Sequence, residues 1–183
     1  MPIRLTLEDV SLFIKLWLTS GYVTPQEGQM TKEDQFIPHL VVNDGKAALK
    51  FYKEVFDAEE GDSMMEPDGT RLMHGEIVLD GHKLFLSDEF SEKEGGTCRM
   101  PQTLGGTSVR ITLETSNADA IVERAVARGA QIIMPVQDMF WGARYGKIKD
   151  PFGHEWGINQ QLQERTPEET DAAAAEFFAN RNK

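Results

Sequence analysis

The chain has 183 residues, with 30 acidic and 19 basic side chains, a formal net charge of -11 and one cysteine. That length suits one domain with extensions, and the acidic balance excludes a protein whose main work is to neutralise nucleic-acid phosphates or to coat an anionic membrane. A lone cysteine excludes an intrachain disulfide framework and any multi-cysteine metal site, which makes the reducing cytoplasm the expected home.

The most apolar early stretch, Val10 to Leu18 interrupted by Lys15, is far shorter than the ~20 residues needed to span a bilayer. Glu8 and Asp9 sit where the apolar region of a signal peptide would begin. Thr6 and Asp9 resemble a helix start, with Val10, Phe13, Ile14 and Trp17 on one face and Gly21 as the stop. Thr24 to Gln35 is polar, carries Pro25 and Gly28, and reads as a linker. Residues 1–35 are therefore expected to be an N-terminal extension. Met30 offers a second start, so residues 1–29 read either as a true appendage or as sequence upstream of the real beginning.

From residue 36 one pattern occurs twice. Phe36–Val42 is β-rich, and Gly45–Phe56 reads as a helix with Ala48, Phe51, Tyr52 and Val55 on one face. Strands are then expected over Ala58–Met65, Arg71–Leu79 and Lys83–Ser87, the last two joined by the hairpin signal Asp80-Gly81. The second half repeats the order: strand Thr107–Glu114, helix Asn117–Arg128 stopped by Gly129, then strands Gln131–Pro135, Arg144–Lys149 and Glu155–Gln160. Asp44 aligns with Asn117 and Ala47 with Ala120, so the repeat lies in element order more than in letters. Two βαβββ units are each too small to stand alone, and pairing them buries a shared face. The expected organisation is an α+β domain over residues 36–163, with modules 36–90 and 105–161, followed by a C-terminal segment 164–183. There Thr166-Pro167-Glu168-Glu169 signals a helix start, and Ala173, Phe177 and Phe178 are available for docking.

Two stretches carry a family resemblance over roughly residues 36–161. The first is Ile37-Pro38-His39-Leu40-Val41-Val42-Asn43-Asp44 with Ala47-Ala48-Leu49-Lys50-Phe51-Tyr52-Lys53. The second is Phe140-Trp141-Gly142-Ala143-Arg144-Tyr145-Gly146 with Asp150-Pro151-Phe152-Gly153-His154-Glu155-Trp156. Together they resemble the vicinal oxygen chelate superfamily of glyoxalase I, bleomycin-resistance proteins and extradiol dioxygenases, and within it the PhnB-like branch. The resemblance implies paired βαβββ modules forming a curved eight-stranded sheet around a cavity, usually in a homodimer. It also implies four metal-ligand positions, which fall here at Ile37, near Phe85, at Arg110 and at Gly157. Isoleucine, phenylalanine and glycine side chains have no donor atom, and arginine stays protonated and repels a divalent cation. No family metal or other cofactor is therefore expected, and with it goes the Lewis acid of glyoxalase and dioxygenase chemistry.

Strand alternation indicates what the cavity should hold instead. On Arg71–Leu79, Met73, Gly75, Ile77 and Leu79 should pack under the helices, leaving Leu72, His74, Glu76 and Val78 facing the cavity. On the fifth strand Val109, Ile111 and Leu113 should pack, leaving Ser108, Arg110 and Thr112 inward. His39 shares the face of Ile37, and Glu155 shares that of Gly157. The candidate site thus comprises His74 and Glu76 as an acid–base pair, with His39, Arg110, Trp141, Arg144 and Glu155 as ligand-binding residues. Arg110 could equally be a simple partner of Glu76 or Glu155, and His74 and Glu76 simple hydrogen-bond partners. His39, His74 and Glu76 are also donor types that suit zinc or nickel at a non-family site. Cys98, in a glycine-rich loop, has no nearby base in sequence and reads as an incidental thiol.

Two functions of different class follow. One is a cytoplasmic, dimeric module whose cavity binds a small molecule, with neither nucleic acid nor membrane as partner. The other is a lyase or related enzyme using His74 or Glu76, or the non-family metal. If Arg110 and Arg144 both point inward, an acidic protein encloses a cationic pocket and the expected ligand is a small anion.

Overall fold

A computed structural model of the chain describes residues 36–181. The helix expected to start at Thr6 and Asp9 and to stop at Gly21, and the linker after it, lie outside the described residues. In chain order the elements are β1 (His39–Val42), α1 (Gly45–Phe56), β2 (Glu59–Met65), β3 (Leu72–Leu79) and β4 (His82–Asp88). A short helix that the sequence did not announce, α2 (Pro101–Leu104), bridges to β5 (Arg110–Glu114), α3 (Ala118–Ala127), β6 (Gln131–Asp138), β7 (Ala143–Lys149), β8 (Glu155–Gln161) and α4 (Pro167–Arg181). No described helix is long and apolar enough to cross a membrane.

Each module starts its helix in the same way. The Asp44 side chain accepts from the Ala47 amide at 3.0 Å, and Asp88, at the end of β4, accepts from the Gly45 amide at 3.0 Å. In the second module Asn117 accepts from the Ala120 amide at 3.1 Å, and Gln160 Oε1 accepts from the Ala118 amide at 3.0 Å. Both helices thus satisfy free first-turn amides with one local and one distant acceptor. Asp80 and Gly81 both take positive φ (47° and 78°), as the tight turn between β3 and β4 requires.

The eight strands form two four-stranded sheets and not one continuous ladder, ordered β1-β4-β3-β2 and β5-β8-β7-β6. The β1–β4 and β5–β8 pairs are parallel, and the rest are antiparallel. β1 and β5 are edge strands, because the modules join through side chains rather than backbone bonds. One buried core takes residues from both modules, among them Val42, Tyr52, Leu72, Ile77, Ile148 and Trp156, all fully buried. Tyr52 stacks on Phe56 at 5.9 Å, and Phe56 lies 4.6 Å from Trp156 across the junction.

At the centre of that junction is Asp150, which opens the β7–β8 turn and is itself buried. It accepts from Tyr52 Oη at 2.7 Å, Trp156 Nε1 at 2.9 Å and the amides of Phe152 and His154 at 2.9 Å each. Four donors compensate the buried carboxylate without a cation. Burial, then the adjacent Asp150, push the Tyr52 phenol well above its ordinary pKa, so it stays a donor.

Two face assignments need correction. Leu72 is fully buried and Met73 is 44% exposed, the reverse of the expectation for β3. The β2–β3 register shifts between Met64 and Met65, and Leu72 turns under α1 against Gly45, where no Cβ would fit. Val109 is 65% exposed because β5 begins only at Arg110, beyond the reach of the helix layer. The C-terminal helix has its capping box: Thr166 Oγ1 accepts from the Glu169 amide at 3.2 Å, and Glu169 Oε2 accepts from the Thr166 amide at 2.9 Å. Its Phe177 and Phe178 rest on Phe140, 5.5 and 5.8 Å away.

Candidate functional site

Each sheet has one face under the helices and one open face, and the expected site residues divide between them. On the first open face, His39 Nε2 lies 3.2 Å from Ser87 Oγ. The His74 ring stands edge-on to Phe85 at 4.7 Å and 6.5 Å from the His39 ring. Burial, with a smaller contribution from His74, lowers the His39 pKa, so its neutral form is favoured. Glu76, on the same face, is salt-bridged to Lys83 at 2.9 Å, and it lies against Gly61, where a Cβ would come within 2.7 Å of its Oε1. A salt-bridged carboxylate is poorly disposed to act as a general base. Among the described residues, no three His, Cys, Asp or Glu converge to hold a metal. The alternative metal set of His39, His74 and Glu76 therefore does not assemble as one.

The second open face is built by β5, β8 and β7. Register pairs Arg110 with Glu155, Thr112 with Gly157, and Gly157 in turn with Lys147. Residues directly opposite share a face, so Arg110, Thr112, Glu155 and Gly157 stand with Tyr145, Lys147 and Lys149. Arg110 bonds Glu155 at 3.2 Å, which decides between the two partners open to it. Further along, Asn159 donates to Glu114 at 2.8 Å. Trp141, in the β6–β7 loop, meets the Tyr145 ring at 5.8 Å and 67° and closes one side of this face.

Arg144 does not join it. One residue away from Tyr145 on β7, it points to the helix side, donating to Asp119 on α3 at 2.8 Å and to Asp138 on β6 at 2.9 Å. Hydrogen bonds to these carboxylates raise the guanidinium pKa and hold Asp119 below its ordinary range. The expected pairing of Arg110 with Arg144 fails on simple alternation. Lys147 and Lys149 supply the cations instead. Sequence reasoning recognised β7 without assigning its faces; anchoring it on the apolar Ile148 would have put Tyr145, Lys147 and Lys149 opposite the core.

Two cavities lie elsewhere, and none of the seven candidate residues lines either. One, of about 510 Å³, sits at the end of β1 and β4, with Arg71 bridged to Glu66 at 2.7 Å and to Glu94 at 2.6 Å. Arg71 and Ser91 hold the Glu94 carboxyl down to about 2. The other, of about 300 Å³, runs beside α1 past Lys46, Lys50 and Lys53. Cys98 is exposed.

The side chains at the family's metal positions do not fit a divalent ion. Phe85 packs against the two histidines, Arg110 is tied to Glu155, and the space a Cβ at 157 would enter is taken by Tyr145 Oη at 2.6 Å.

Paired βαβββ modules, each with a parallel edge pair and an open sheet face, define a glyoxalase-like α+β protein. The chain belongs to the Glyoxalase/Bleomycin resistance protein/Dioxygenase superfamily, whose family model matches residues 34–158. It is 39% identical over 141 residues to the uncharacterized protein Mb0911c of Mycobacterium bovis, covering 77% of this chain and 92% of that protein. Among solved structures, a gene product of Arabidopsis thaliana is similar with a TM-score of 0.54 and 28% identity, covering 68% of this chain and 97% of that one. The PhnB protein from Bacillus cereus is similar in fold, with a TM-score of 0.53, 18% identity and coverage of 69% and 99%.

Proposed function

We propose that this protein binds a small organic anion on the open face of its second sheet, without the family metal. The observation that carries the reading is the cationic side of that face. Arg110 stands at a family metal position, and Lys147 and Lys149 stand across β8 on the same face, three cations against the carboxylates of Glu155 and Glu114, in a chain of net charge -11. Trp141 supplies an aromatic wall and Glu155 orients Arg110, while His39 and His74 line the companion face of the first sheet. Local positive potential in an otherwise acidic molecule steers anions to one place. The motifs around Tyr52 and Asp150, with the fold of the Bacillus cereus protein, support a PhnB-like placement. A cytoplasmic homodimer is the assembly in which we place this activity, with neither nucleic acid nor membrane as partner.

The test is a thermal-shift screen of small carboxylates in the presence of a chelator, then with added Ni²⁺ or Zn²⁺. Stabilisation should persist with chelator, fall in Arg110→Gln and be unchanged in Arg144→Gln. Stabilisation that requires added metal, or that ignores Arg110, would overturn the reading.

A further inference from the structure

Gly157 stands where the resemblance puts the last metal ligand, and its surroundings show what has taken that ligand's place. A Cβ on Gly157 would meet Tyr145 Oη at 2.6 Å, Thr112 Oγ1 at 3.0 Å and Tyr145 Cε2 at 3.0 Å. Two hydroxyls from strands on either side of β8 therefore converge over a bare stretch of backbone. Neither has a hydrogen-bond partner among the described residues; the Tyr145 side chain is half-buried and that of Thr112 is exposed, so both can turn to a ligand. Arg110 lies on the same face and spends one terminal nitrogen on Glu155, at 3.2 Å. A guanidinium carries five N–H donors, so donors remain for a ligand.

We propose that Tyr145 and Thr112, with Arg110 beside them, grip the oxygens of a flat carboxylate whose body lies along Trp141. The proposal rests on the anion-binding reading above and specifies its ligand class and two of its binding residues. A phenol and an alcohol both donate to carboxylate oxygens, and hydrogen bonds to an ionised acceptor are the stronger kind. Trp141, at 67° to the Tyr145 ring, makes a corner of two aromatic walls, and the missing side chain at 157 lets the Tyr145 hydroxyl lie over the backbone at its base. A flat ring fits such a corner better than a branched aliphatic body. The hydroxyls do by hydrogen bonding what a Lewis acid does elsewhere in the superfamily, which is to fix the oxygens of the ligand.

The full chain can be titrated with benzoate and with its neutral counterpart benzamide, following the backbone amide signals of Thr112 and Gly157 by heteronuclear NMR. Benzoate should shift both signals saturably, and benzamide should bind more weakly. Tyr145→Phe and Thr112→Val keep ring and shape, and each should raise the benzoate Kd by about tenfold, the loss of one charged hydrogen bond. Benzoate binding to both variants as to wild type, together with its loss in Arg110→Gln, would overturn the hydroxyl grip and leave the anion site standing. Wild type that leaves these two amides unmoved by benzoate would overturn the grip and the site together.

Discussion

Both modules begin the turn between their third and fourth strands with aspartate, and the two residues do unlike work. Asp80 is exposed and supplies only a left-handed backbone for a two-residue hairpin. Asp150 is buried and gathers the hydroxyl of Tyr52, the indole of Trp156 and two amides. The second turn is longer, Asp150-Pro151-Phe152-Gly153, and it folds Phe152 into the core, which brings the carboxylate inside. Equivalent placement in a repeat therefore does not imply equivalent energetics; what the side chain touches decides.

The sharpest way to break this comparison is to truncate both. Asp150→Ala leaves four donors unpaired in the core and should cost about 3–5 kcal/mol, a marginal fold for a domain of this size. Asp80→Ala changes only a residue in the left-handed region and should cost about 0.5–1 kcal/mol. Denaturant midpoints of the two variants measure the difference directly, and comparable losses would remove Asp150 from its central position. Tyr52→Phe, which deletes one donor to Asp150 without changing shape, should fall between them at about 1–2 kcal/mol.

Where the modules do correspond, substitutions should show it. Asp44→Ala and Asn117→Ala each delete the same cap from α1 and α3, and each should cost about 1 kcal/mol. Their distant helpers differ more. Asp88 is 6% exposed and also accepts from the Leu72 amide at 2.6 Å, whereas Gln160 serves the Ala118 amide alone. Asp88→Ala should therefore cost about 2–3 kcal/mol, and Gln160→Ala about 1. Equal losses in this last pair would mean that the second bond to β3 contributes nothing.

This division explains what could be read from the chain. Caps, the Asp80-Gly81 turn and Gly129 are local signals, and they place α1, α3 and their flanking strands within a residue or a few of where they lie. On the open faces, Arg110 is placed by the alternation of Ile111 and Leu113, whereas His39 and Glu155 are placed by sharing a face with Ile37 and Gly157, positions that the family resemblance supplies. Leu72 escaped because the register shift in β2 resets the phase of its neighbour, and bulges leave no mark in the pattern of β3 itself. Arg144 escaped for a different reason. Its partners Asp119 and Asp138 lie on α3 and β6, and nothing near it in sequence says that the helix will bring one of them within 2.8 Å. Tyr145 was within reach of alternation, but its importance depends on a glycine on another strand.

The open faces themselves offer the last and smallest contrast. Only the first carries histidines, and there burial holds the His39 pKa below its ordinary value of 6.5. The unfolded chain takes up this proton as pH falls through about 6.5, whereas the folded chain resists it until lower pH. Between those two values the unfolded state binds more protons, so stability rises with pH and is lost on acidification below about 6.5. The ring is partly exposed, and His74, Ser87 and the Glu76–Lys83 pair share its face, so the slope should be shallow. Melting temperatures from pH 7.5 to 5.5 should fall less steeply in His39→Gln than in wild type, and Arg110→Gln should leave the slope as it is. If His39→Gln reproduces the wild-type slope, acid sensitivity lies elsewhere and the two open faces are alike in this respect.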